Sequence, residues 1–158
     1  MRVGVLSDTH LIRVTRELED IYERYLSQVD IILHAGDFVS EDVVDFLDRK
    51  TFHGVCGNMD PVELKQRLPV KKVIEIGRFK FGLIHGWGSS GDLEERIRGE
   101  FGQVDAIVYG HSHRAVNHIR DNLLFFNPGT ALGYSSSRGH TIGVLEVEER
   151  IRGECIKL

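Results

Sequence analysis

Two cysteines, one tryptophan and no apolar run near the roughly 18 residues of a membrane span set the first limits on this 158-residue chain. Cys56 and Cys155 are not spaced as C-x-x-C, so reduced thiols are predicted rather than a disulfide framework. The apolar stretch ahead of Ser7 is too short for a secretory leader, which predicts a cytoplasmic protein with no membrane partner. Positive charge is not in excess either. The net charge of −4 offers no broad basic face, so a nucleic-acid polymer is not the expected partner. A small phosphorylated substrate stays open if positive charge is supplied locally, as bound metal ions would do. Linkers, low-complexity tracts and internal repeats are also missing, and one domain over residues 1–158 is predicted.

What is there is ordinary in bulk and patterned in detail. At 41% apolar and 28% charged, the composition is that of a globular chain. A chain of this length buries about 68–70% of its unfolded surface. The residues "RVGVLSD" (2–8) and "DIILHAGD" (30–37) read as strands, each ending in an aspartate. Between them Leu18, Ile21, Tyr22, Tyr25, Leu26 and Val29 recur at spacings of three and four, predicting an amphipathic helix over 16–29. Ser40 is a good N-cap for a second helix, with Glu41 and Asp42 favouring its first turn. A third strand is predicted at 51–58. Two more over 70–86 turn at Gly77 and Arg78, and a helix spans 91–101. Further strands follow at "VDAIVYGH", 115–119, 122–126 and 140–148, with one more at 151–157. Helix-bearing in its first part and strand-rich afterwards, the chain predicts an α/β (α+β) fold: two packed mixed sheets with helices outside, a four-layer α/β/β/α sandwich.

The residues able to bind metal fall in one kind of place. Asp8 and His10 end the first strand, Asp37 the second, and Asn58 and Asp60 follow the third; His85 ends another, and His111 and His113 the next. An isolated H-x-H such as "GHSH" is more often an ordinary loop. The two rings two residues apart would share one side if the chain there were extended. Loops at the carboxyl ends of strands converge in α/β sheets, and imidazole mixed with carboxylate and amide oxygen suits Mn, Fe, Zn, Ni or Co. Even without Asp60, seven such donors exceed one tetrahedral site and point to a pair of ions. Gly36, Gly57, Gly86 and Gly110 stand beside them, where loops must turn or approach closely.

The motifs Asp8-Thr9-His10, Gly36-Asp37, Gly57-Asn58-Met59-Asp60, His85-Gly86 and Gly110-His111-Ser112-His113 occur in this order, with Asn127-Pro128-Gly129-Thr130 after them. The pattern resembles the calcineurin-like metallophosphoesterases, in their small single-domain bacterial and archaeal phosphodiesterase branch, over residues 3 to about 147. The resemblance implies two divalent ions per chain, manganese foremost, with Ni, Co, Fe or Zn as alternatives. Asp8, His10, Asp37 and His113 would hold the first; Asp37, Asn58, His85 and His111 the second. Asp37 would bridge them, so the imidazoles of "GHSH" would serve different ions. The implied reaction is in-line attack on a small phosphodiester by a hydroxide bridging the ions, with Asp37, Asn58 and His111 as the catalytic residues.

One position departs from the larger family members, where the residue after the asparagine is a histidine assisting the leaving group. Here it is Met59, which implies a preference for good leaving groups. Asp60 is expected to orient a ligand histidine, His10 being one partner for it. Arg138 is a candidate for the substrate phosphate. His34 reads equally as core or as support to the site, while Phe38 and Trp87 flank ligand positions as pocket or core residues. The rival function is a protein-interaction scaffold on the same fold, as in the family's retromer subunit. A DNA-repair type of nuclease is disfavoured by Met59 and the short chain. A homo-oligomer is left open.

Overall fold

Residues of alternating orientation along the strands divide the apolar side chains between three layers of packing. The structure, a computed structural model, describes residues 1–133 and 139–158. Among them, ten strands form two five-stranded sheets. In the first sheet, β1 (Arg2–Leu6), β2 (Ile31–His34) and β3 (Phe52–Gly54) run parallel, while β9 (Thr141–Val147) and then β10 (Ile151–Lys157) extend it antiparallel beyond β1. In the second, β5 (Phe79–Ile84), β6 (Ala106–Val108) and β8 (Leu123–Pro128) are the parallel trio. It is flanked antiparallel by β4 (Lys71–Ile76) and β7 (Ala115–Arg120).

Period-two burial explains why the sheets face each other. Val3, Val5, Ile31, Leu33, Phe81, Leu83, Ala106, Val108, Leu124 and Phe126 point into the inter-sheet core. The intervening residues point outward and are covered by helices. Leu6 and Ile32 pack under α1 (Arg16–Ile21) and α2 (Glu41–Leu47), together with Leu64 of α3 (Val62–Arg67). Ile84, Ile107 and Phe125 pack under α4 (Leu93–Arg98). The predicted four-layer α/β/β/α sandwich is the observed one.

Local differences have local causes. The helix expected over 16–29 is α-helical only to Ile21, and Tyr22–Leu26 widen to a π-helical turn closed by Ser27 N donating to Tyr22 O at 2.7 Å. Ser40 does cap α2, its Oγ accepting from Asp42 N at 3.2 Å. Helix α3 is unforeseen. Its single buried residue, Leu64, gives too short an apolar pattern to read. Strands β1, β2 and β6 stop at Leu6, His34 and Val108, short of the residues expected to end them, because the polar loops beyond leave the ladder.

The sheets approach closely where glycine faces a ring. A Cβ at Gly143 would lie 2.4 Å from Phe126 Cε1 and 3.2 Å from Val5 Cβ. Gly143→Ala is therefore expected to lower unfolding free energy by about 1–3 kcal/mol through overpacking, read as a lower urea midpoint at unchanged slope.

Candidate metal centre

Only parallel strands supply the candidate ligands. Asp8 and His10 follow β1, Asp37 follows β2, Asn58 follows β3, His85 follows β5, and His111 and His113 follow β6. Parallel strands place their carboxyl ends together, and the loops there are laced by their own backbones. Asp8 N donates to Gly36 O and His10 N to Asp37 O, each at 3.0 Å; in the other sheet Gly110 N donates to His85 O at 3.1 Å.

Asp8 joins the halves. Its Oδ2 accepts from Ser7 Oγ at 2.5 Å and from His111 N, in the opposite sheet's loop, at 3.1 Å. Its Oδ1 is buried without a hydrogen-bond partner. Around that oxygen stand His113 Nε2 at 3.1 Å, His10 Nε2 at 3.7 Å and His85 Nε2 at 4.0 Å. Asp37 Oδ2 lies between His85 Nε2 at 3.3 Å and His10 Nε2 at 3.8 Å. Asn58 Oδ1 sits 3.1 Å from His85 Nε2 and 3.2 Å from His111 Nδ1. All seven predicted donors are thus brought together.

Metal-competent donors gather in two overlapping groups, Asp8 with His10 and His113, and Asp8 with Asp37 and His85. A buried carboxylate oxygen lacking a donor, ringed by imidazole nitrogens, fits a divalent cation. Ring orientation fits as well. His85 gives Nδ1–H to Ala35 O at 2.7 Å, and His111 gives Nε2–H to Gly88 O at 2.8 Å, so each turns its other nitrogen inward.

The charges respond to one another. Burial alone would raise the Asp8 carboxyl, but His10, His113, His85 and Ser7 together hold it well below the usual range. Asp37 is likewise lowered, burial being outweighed by His85 and the Met59 amide. His85 is raised because its carboxylate neighbours, Asp37 first, overcome burial; His113 is raised mainly by Asp8.

The loops reach this arrangement through unusual backbone. Asp8, His10, Asp37, His111 and His113 all have φ between 48° and 67°. Asp and His tolerate this left-handed region better than most residues. The "GHSH" segment is thus coiled, so its two rings do not share one side: His111 turns toward Asn58, and His113 toward Asp8. Glycine is required for space at two points. A Cβ at Gly110 would fall 1.9 Å from Ser7 Oγ, and one at Gly57 would fall 2.1 Å from Asp37 Oδ1.

Asp60 does something other than orient His10. Its nearly buried carboxylate accepts backbone amides from Gly57 at 2.8 Å, Val39 at 2.8 Å and Asp37 at 3.0 Å, stapling the β2 and β3 loops. One of these amides belongs to Val39, a β-branched residue at φ 80°. His34 proves to be a support: fully buried, it accepts from Gly36 N at 3.1 Å, meets Thr9 Oγ1 at 3.2 Å and stacks on Phe38. Burial pushes it down to about 3, so it is neutral. Phe38 is core, whereas Trp87 is 44% exposed beside the site. Arg138 lies outside the described residues.

Ser7, Asn127 and Thr130 were assigned no role in the sequence reading. Asn127 Nδ2 donates to Gly110 O at 2.9 Å while its Oδ1 accepts from Gly129 N at 2.9 Å, an Asx turn legible in Asn-Pro-Gly. Thr130 Oγ1 lies 2.8 Å from Asp8 O. The bond of Thr130 to Asp8 and that of Asn127 to Gly110 join distant parts of the chain, which hides them from the sequence, whereas Ser7 bonds its neighbour Asp8. Asp60→Asn is expected to turn an amide donor against backbone donors, lowering stability by about 1–3 kcal/mol and divalent-ion affinity about 10–100-fold. Urea unfolding and calorimetric manganese titration read the two effects.

Comparison with known proteins agrees with this geometry. The calcineurin-like phosphoesterase superfamily domain matches residues 1–150. A probable metallophosphoesterase of Methanocaldococcus jannaschii is 36% identical, the alignment covering 82% of this chain and 68% of that protein. A phosphodiesterase of the same organism is 30% identical over 99% of both. Among solved structures, an archaeal phosphodiesterase superposes with a TM-score of 0.75 at 28% identity, covering 99% of this chain and all of the other. A single mutant of Vps29 from Entamoeba histolytica superposes equally well, TM-score 0.75 at 25% identity, over 100% and 99% of the two chains. With the matching domain spanning nearly the whole length and its motifs meeting around one buried carboxylate, the chain belongs to the calcineurin-like phosphoesterase superfamily.

Proposed function

We propose that the protein is a two-metal phosphodiesterase. The observation that supports it is Asp8 Oδ1, buried, without a hydrogen bond of good geometry among the described residues, and faced by three imidazoles. Asp8, His10, Asp37 and His113 would hold one ion, and Asp37, Asn58, His85 and His111 the other, Asp37 being common to the two sets. Manganese or a similar ion would supply positive charge at phosphorus and a water of lowered pKa.

The chain's own groups set the rest. Ser7 and the His111 amide fix Asp8 in one rotamer, Ala35 and Gly88 fix two of the imidazoles, and Asp60 fixes the loop bearing Asp37. Such preorganisation places donors before substrate arrives. Met59, 57% exposed where a proton donor would help, transfers no proton. A diester with a good leaving group suits that deficit, and the 30% identity to an archaeal phosphodiesterase over 99% of both chains favours the diester over the monoester.

Metal-stripped protein is expected to hydrolyse bis(p-nitrophenyl) phosphate, and p-nitrophenyl phosphate much less, when Mn, Ni, Co, Zn or Mg is restored. Asp37→Asn should lower turnover by about two orders of magnitude or more. The Vps29 likeness gives the scaffold reading its one specific support. Bound ions without turnover of any diester would decide for it.

The pH dependence has a definite sign. Asp8 and Asp37 are lowered, so their stabilisation is present above the ordinary carboxylate range and lost on acidification. His85 and His113 are raised, so theirs is present below the ordinary imidazole range and lost as pH rises through the raised values. Metal-free protein should therefore melt at a higher temperature near about pH 6 than near about pH 8. Ions must displace the same protons, so manganese affinity should change in the opposite direction, with proton release visible in calorimetry across buffers.

A further inference from the structure

Three large exposed apolar side chains lie close in sequence to candidate ligands of the centre. Ile12, Met59 and Trp87, each within two positions of a candidate ligand, are 81%, 57% and 44% exposed. Trp87 also borders a cavity of about 370 Å3 whose walls include Cys56, Val70, Ile84, Asn58 and His85. Asn58 and His85 thus belong to the cavity and to the candidate centre at once. The volume falls within the range of small-ligand pockets, which favours a small group over a flat protein surface as its occupant.

Trp87 is held in place by its backbone. Gly86 and Gly88, at φ 99° and 78°, turn the chain into and out of it. Arg96 Nη2 donates to Trp87 O at 2.7 Å, and the His111 ring donates to Gly88 O at 2.8 Å. The backbone that carries the indole, two residues beyond His85, is consequently tied to the His111 ring. Lys65 also lines the cavity, and its Nζ donates to Asn58 O at 3.2 Å, adding a positive charge beside the same donors. An apolar platform, a cation and the metal-competent donors border one small space.

We propose that this cavity is the subsite for one ester arm of the substrate, that the arm is a flat aromatic group, and that Trp87 selects it by stacking. The proposal rests on the phosphodiesterase reading, since the phosphoryl group must face Asn58 and His85 for the arm to enter. An aromatic arm buries apolar area against the indole and gains the additional attraction of paired rings. An alkyl arm of one carbon forfeits both.

The only tryptophan in the chain is the reporter. Diphenylphosphinate and dimethylphosphinate are matched anions that resemble a diester and have no ester bond to hydrolyse. With manganese supplied, diphenylphosphinate is expected to quench Trp87 emission saturably and to bind about tenfold tighter, or more, than dimethylphosphinate. By calorimetry Trp87→Phe should keep most of that preference and Trp87→Ala should lose it, urea unfolding showing that both variants are folded. Equal affinity for the two phosphinates, or an undiminished preference in Trp87→Ala, overturns the subsite. Diester turnover with no aryl preference overturns it too and leaves the phosphodiesterase reading standing. An aryl preference that depends on Trp87 without turnover of any diester leaves an aromatic-binding pocket but removes the phosphodiesterase, and with it the ester-arm assignment.

Discussion

The Asp8 carboxylate connects the two sheets through one oxygen and offers the other to the centre. Its Oδ2 is satisfied by Ser7 and by the amide of His111, whose loop follows β6 in the opposite sheet. Among the described residues its Oδ1 makes no hydrogen bond of good geometry, and it faces imidazoles from both sheets. A buried carboxylate so divided is tolerable only if a positive charge compensates it, from protonated rings or from a cation. Much of the surrounding structure serves to hold that geometry. Gly110 must lack a side chain because Ser7 occupies the space, and Thr130 reaches across to the Asp8 carbonyl.

Holding donors in this way costs backbone strain. Left-handed conformations at several ligand-bearing positions, and at Val39, cost about 1–3 kcal/mol each and persist only where surroundings over-determine them. Those surroundings are identifiable. Asp60 binds the amides on either side of Phe38, Asn127 clips the "GHSH" loop, and neutral His34 fills the space beneath with Phe38 stacked upon it. The polar core under the site is therefore as organised as the apolar core between the sheets. It is also more vulnerable, because a lost partner leaves a buried donor unpaired.

The same fold is found in an archaeal phosphodiesterase and in Vps29, so architecture alone does not choose between catalysis and scaffolding. The choice turns on side chains. Here the donors converge, their rings are oriented from behind, and apolar groups are exposed beside them at Met59 and Trp87.

Much of this was legible in the chain itself. Alternation in "RVGVLSD" and "DIILHAGD" marks strands with one face in the core and polar ends, and the order of donors along the sequence is unmistakable. Residue type and short-range spacing suffice for that, because strand periodicity and loop chemistry are local. Tertiary structure alone decided the rest: that the "GHSH" segment is coiled and not extended, that Asp60 staples amides instead of a histidine, and that Trp87 opens on a cavity shared with Asn58 and His85. These outcomes depend on which strands lie side by side and on left-handed turns in the loops between them. The bond from His111 N to Asp8 spans 103 residues and the one from Thr130 to Asp8 spans 122. No local pattern encodes a partner at that distance; it is the packing of two sheets that brings it there.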